Sequence, residues 1–231
     1  MLKYYQPIKR LKSFLRILIG EIIMKAKDYR QKAWAALKGN WGIMIGITLI
    51  YSLIIGALSA IPVVGSIAVL VLQGPLYIGL VLAFMNLMRG NRPDFPILFE
   101  GFNKCFLQSF LLVLLNSIFV MLWSLLFVIP GIIKAYAYAM STYILADNPT
   151  MTQDEARKAS IEMMKGNKWR LFCLHFSFFG WVLLSMLTFG ILLIWVMPYK
   201  QAAEAAFYED LKAKNAVEVI ETVETVEAVE A

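Results

Sequence analysis

The chain has 231 residues, of which 60% are hydrophobic and 16% charged, and its mean hydropathy is +0.66. A soluble domain carries about 25% charged residues; the apolar residues here form long blocks from which charge is absent, which argues against a soluble globular domain and for an all-α polytopic membrane helix bundle. The formal charge of +6 lies beside those blocks, where orientation in a bilayer accounts for it without nucleic acid.

Residues 1–23 form a basic amphipathic extension, in which Ile8, Leu11, Leu15, Ile19 and Ile22 alternate with Lys9, Arg10, Lys12 and Arg16. Its apolar run is too short to span a bilayer, and no small-residue cleavage site follows. Two readings stand. The segment is an interfacial helix on anionic lipid, or it is untranslated, because Gly20-Glu21 can be encoded as a ribosome-binding GGAG just before an ATG at Met24.

A membrane domain over 24–214 follows, with six transmembrane helices. The spans cover 41–61, 66–88, 106–129, 132–146, 171–188 and 191 to about 206, with turns at 62–65, at Pro130-Gly131 and near Phe189-Gly190. At about 1.5 Å per residue, the fourth and sixth fall short of a ~30 Å hydrocarbon core. Every Lys and Arg except Lys134 lies before the first span, in the loops after the second and fourth, or from Lys200 onward. That asymmetry puts both termini and both longer loops in the cytoplasm and three tight turns outside. Residues 215–231 form a Val-Glu-Thr/Ala run, expected to be a disordered acidic tail.

The segment ending Leu-Lys-Gly-Asn at Asn40 matches the one ending Met-Lys-Gly-Asn at Asn167, each immediately before a span. Both read as amphipathic cytoplasmic helices stopped by a glycine, Gly39 or Gly166, and the second opens on a capping box from Thr152 to Glu155. A weaker third copy lies at 93–104. The unit is a surface helix followed by a helical hairpin, present as three repeats; Pro75 and Pro198 sit at similar depths in the second and sixth spans.

Within the spans, Gly42, Gly46 and Gly56 lie along one GxxxG-type face, read as close helix packing. Pro75, Pro130, Gly131 and Pro198 mark turns and kinks. Asn116 and Gln73 are amides within apolar runs, candidates for interhelical hydrogen bonds or a polar site. Tyr136, Tyr138 and Tyr143 read as interfacial anchors, and Lys134 as a snorkelling cation. Cys105 and Cys173 read as apolar fillers. The chain's one histidine, His175, makes no catalytic set, and no nucleophile, metal or phosphate motif is present, so neither catalytic residues nor a cofactor nor a metal is expected. Lys200 and Glu204, one helical turn apart, fall about 15 Å beyond the turn at Gly190. They form either a buried pair lining a cavity or the end of a displaced short span reaching cytoplasmic water.

The run Leu37–Gly42 resembles the bacterial integral membrane proteins called domain of unknown function 975. So do Gly74-Pro75-Leu76 with Gly79, Pro130-Gly131-Ile132-Ile133, Tyr143 to Asp147, and Pro198-Tyr199 followed by Ala205 to Leu211. The resemblance covers 24–211 and implies no established activity. A distant similarity to the membrane domain of some glycerophosphodiester phosphodiesterases hints at lipid or head-group handling. The expected protein is a non-enzymatic bacterial plasma-membrane protein that binds or moves a small polar or lipid-derived solute. The alternative is a structural or regulatory partner whose basic helices dock anionic head groups or another membrane protein, a second copy included.

Overall fold

The computed structural model describes the backbone of residues 26–230 and the side chains of 26–215, so the extension at 1–23 lies outside the described residues. The described chain is all-helical: α1 (26–37), α2 (Trp41–Ser59), α3 (Val64–Met88), a 3-10 turn (Phe95–Phe99), α4 (Glu100–Leu126), α5 (Val128–Tyr138), α6 (Ser141–Asp147), α7 (Gln153–Met163), α8 (Lys168–Leu187) and α9 (Leu193–Glu230). Five segments are long and apolar enough to cross a membrane: Trp41–Ser59, Val64–Met88, Phe95–Leu126, Val128–Asp147 and Lys168–Leu187. The sixth expected span is the start of α9, which is not among them because its apolar stretch gives way to Lys200 and Glu204 after Pro198.

The two surface helices end as their sequences require. Gly39 and Gly166 have φ of 88° and 73°, the left-handed region that glycine enters without a Cβ clash. Thr152 accepts from the Glu155 amide while the Glu155 carboxylate accepts from the Thr152 amide, a complete capping box. Segment 93–104 departs from this pattern. It forms the 3-10 turn and the start of α4, with Gly101 inside the helix rather than stopping one.

Several expectations are corrected. The second hairpin turns at Phe127 (φ −157°, ψ 141°), and Pro130 and Gly131 sit in the first turn of α5. Proline fits there because the first-turn N–H groups have no intrahelical partner to lose. The fourth segment thus starts at Val128 and reaches 20 residues, so it is not short. It breaks once, at Ala139–Met140, where Ser160 of α7 donates to the Ala137 carbonyl (2.8 Å) and accepts from the Met140 amide (3.2 Å). Pro75 and Pro198, the expected kink positions, lie inside α3 and α9. The tail at 215–231, expected to be disordered, is described from 216 on by its backbone alone, which continues α9 to Glu230.

The GxxxG face on α2 does not pack a helix. A Cβ at Gly42 or Gly56 would meet nothing within 4 Å, and one at Gly46 would meet only the Phe95 ring of the 3-10 turn, at 2.9 Å. The close approach lies between α3 and the chain running into α4. A Cβ at Gly79 would come 2.0 Å from the Leu98 carbonyl oxygen, at Gly74 2.6 Å from that of Ser109, and at Gly101 2.1 Å from that of Pro75.

Burial is uneven along the helices. Buried residues of α2 (Met44, Ile47, Thr48) lie in its first half, and those of α3 run from Gly74 to Leu87 with Gly65 apart. In α9 they cluster from Ala202 to Leu211. The core therefore sits at the end where α1, α7 and the basic loops gather, and the three hairpin tips are exposed and apolar, as at Val63, Phe127 and Phe189.

Candidate functional site: a buried carboxylate among three helices

The residues of α9 after Pro198 meet α1, α3, α6 and α8 at the basic end. Ala202, Ala203, Ala205 and Ala206 are buried and small, so α9 lies close to its neighbours and its interspersed polar side chains are driven into the bundle. Glu204 is the clearest case, buried at 9% exposure. Its Oε1 lies 2.9 Å from His175 Nε2 of α8 and 3.4 Å from Lys200 Nζ one turn earlier, and its Oε2 accepts from the Tyr143 hydroxyl of α6 at 3.4 Å. The imidazole contact has ion-pair distance without hydrogen-bond alignment. His175 Nδ1 in turn lies 3.3 Å from the Tyr136 hydroxyl of α5.

A carboxylate taken out of water is costly unless its charge and lone pairs are met, and here three helices meet them. With Tyr136 donating to Nδ1, the ring carries a proton on Nε2, on the side of Glu204. Lys200 and His175 are only partly buried, their side chains 38% and 28% exposed, so the cluster opens toward the bundle surface on that side. Chemically it can hold and pass a proton or bind a polar group that competes for the carboxylate. No group of three His, Cys, Asp or Glu able to hold a metal occurs among the described residues.

About one and a half turns further along α9 a second polar layer closes the basic end. Arg89, just after α3, bridges Asp147 of α6 (2.7 Å) and Glu209 of α9 (2.9 Å). Asp147 also accepts from Tyr208 (3.1 Å) and pairs with Lys212. Tyr143 to Glu204 and Tyr208 to Asp147 are thus reciprocal, each helix supplying a tyrosine to the other's carboxylate. On the other side Arg170 of α8 and Tyr29 of α1 both bond Asp210, at 2.9 and 2.6 Å. Burial alone would raise the Asp210 carboxyl, but the bonds from Tyr29 and Arg170 and the charges of Arg170 and Lys214 overcome it and hold it below its ordinary value.

Of the residues singled out from sequence, Lys200 and Glu204 meet, and Glu204 is enclosed rather than reaching water. Gln73 is exposed on α3. Asn116 lies on the other side of α6, donating to Ser141 Oγ at 2.9 Å in a cleft with Ser117, Tyr138 and Thr142, its Oδ1 buried and unpartnered. Lys134 stacks over the Trp123 ring at 4.9 Å. Cys105 and Cys173 are free thiols, Cys105 buried at a kink in α4. Sequence reasoning missed His175, Tyr136 and Tyr143 as site residues. The signal for His175 was available, because an ionisable side chain inside an apolar helix wants a partner. Tyr136 and Tyr143 read as anchors, whereas Tyr143 is fully buried.

These features define a class: an all-helical bundle with five membrane-capable helices, locked at one end by ion pairs and holding a buried carboxylate beside a histidine and a lysine. The chain belongs to the family described as protein of unknown function (DUF975), which it matches over residues 24–135 and 125–215. No curated protein and no solved structure gives a significant match.

Proposed function

We propose that the protein crosses the bacterial plasma membrane six times, with its basic end in the cytoplasm, and that it binds or moves a small polar or lipid-derived solute at the Glu204 cluster without catalysing a reaction. The observation that carries the reading is Glu204 itself: a carboxylate enclosed among α6, α8 and α9 beside partly open His175 and Lys200. Ionisable groups inside a membrane bundle are costly and mark solute or proton paths. The sixth crossing is supported by the pairing of Arg170, at the start of α8, with Asp210 on α9. If α8 runs out across the bilayer, α9 brings the chain back to the same end. The positive-inside pattern of the loops supports the orientation, and the convergence of α3, α6 and α9 on Arg89 supports three hairpin units. The non-enzymatic reading is supported by His175 making no hydrogen bond to a serine, threonine or cysteine among the described residues.

A structural or regulatory partner is the second reading, favoured by cations of α1 that have no carboxylate partner among the described residues, taken up below. Purification in native lipid followed by mass spectrometry tests the first. A solute is expected to co-purify with the wild type and to be lost from Glu204→Gln while the helical content stays unchanged. Identical contents in both would overturn it.

A further inference from the structure

A groove of about 590 Å³ opens between α2 and α8 and has the first turns of α9 as its floor. Trp34, Trp41, Trp181, Trp195, Val196 and Tyr199 line it, so four of the chain's six tryptophans face one slot. Its rings interlock at the α1 end, where Trp34 lies 5.3 Å from Trp41 and 5.7 Å from Tyr199, whose hydroxyl donates to the Arg30 carbonyl at 3.2 Å.

Helix α1 buries Ala26, Tyr29, Ala33 and Leu37. Helical spacing puts Lys27, Arg30 and Lys38 beside Trp34 on the adjoining stripe, above the groove. Among the described residues none of these three cations has a carboxylate partner. Arg30 reaches only the Ser177 carbonyl, at 3.4 Å, and its Nε is buried without a partner. An aromatic-walled apolar slot ending under uncompensated cations is matched by a molecule with a long apolar chain and an anionic head.

We propose that this groove holds an acyl chain of one anionic phospholipid, with the lipid phosphate against Arg30 and the charges of Lys27 and Lys38 drawing it from either side along α1. The site is separate from the Glu204 cluster and rests only on the part of the proposed function that embeds the bundle in a membrane. The phosphate balances positive charge that no carboxylate among the described residues meets, and the tryptophans supply rigid contact area along the chain.

The full-length protein carrying Trp123→Phe and Trp169→Phe, which leaves the four groove tryptophans, tests this in phosphatidylcholine vesicles. Small fractions of acyl-brominated phosphatidylglycerol or acyl-brominated phosphatidylcholine are added, and fluorescence quenching is read. Brominated phosphatidylglycerol is expected to reach half-maximal quenching at a several-fold lower mole fraction than brominated phosphatidylcholine. Arg30→Ala is expected to reduce that preference, and so is Lys27→Ala with Lys38→Ala, a pair of exposed positions that leaves the fold intact. Lys32→Ala, on the opposite face of α1, is expected to retain it. Equal quenching by the two lipids in the otherwise unaltered protein would overturn the site while still showing an embedded bundle. Absence of quenching by either lipid would instead count against embedding and so against the proposed function too.

Discussion

Glu204 is the residue on which the site depends, and its environment makes a specific energetic demand. A buried carboxylate stripped of its partners loses about 3–5 kcal/mol of stability, because the uncompensated charge remains in a low dielectric. Replacing His175 and Lys200 together by leucine is therefore expected to lower thermal stability in detergent strongly. Adding Glu204→Gln to that double variant is expected to restore most of the loss, since the amide needs no counter-charge. A double variant near wild type, or a triple variant no better than the double, would show that Glu204 reaches water. Glu204 and Lys200 were legible because they break an apolar run one turn apart. That Tyr143 and His175 are partners of Glu204 was not legible, because they lie 61 and 29 residues away along the chain and only packing of α6 and α8 on α9 brings them together.

At the scale of elements, the hydrophobic blocks located the helices well because charge cannot enter them, but turn chemistry misled. Pro130-Gly131 looked like a turn, yet proline is at home in the first turn of a helix, and the chain reverses at Phe127 instead. Likewise GxxxG spacing on α2 suggested a packing face, although spacing alone does not say that a partner helix is present. The glycines that admit close backbone approach are on α3 and α4. Gly79→Ala is expected to lose at least about 1–3 kcal/mol, since its Cβ would collide with a backbone carbonyl that cannot swing away. Gly42→Ala is expected to be neutral or to gain up to about 1 kcal/mol, because nothing meets the new methyl and alanine is the better helix former. Thermal unfolding of the two variants decides this, and the reverse order of stabilities would contradict the contact between α3 and the 3-10 turn.

At the scale of the molecule, one end is tied and the other is not. Arg89, Asp147, Glu209, Arg170, Asp210 and Tyr29 join five helices at the basic end, while the hairpin tips expose apolar side chains. An arrangement of this kind suits a bilayer, in which apolar tips cost nothing and the ionic layer lies at the head groups. Five membrane-capable helices alone would leave the two ends of the bundle chain on opposite sides. Six crossings, with α9 returning the chain, put both ends on one side. Labelling of intact cells with an impermeant thiol reagent tests that most directly, using single cysteines in a background lacking Cys105 and Cys173. Phe189→Cys, at a tip residue 98% exposed, is expected to react from outside, and Gln153→Cys and Ala213→Cys only after the cells are opened. Reaction of Phe189→Cys and Ala213→Cys from the same side would contradict the six-span bundle and, with it, a Glu204 cluster enclosed within the membrane.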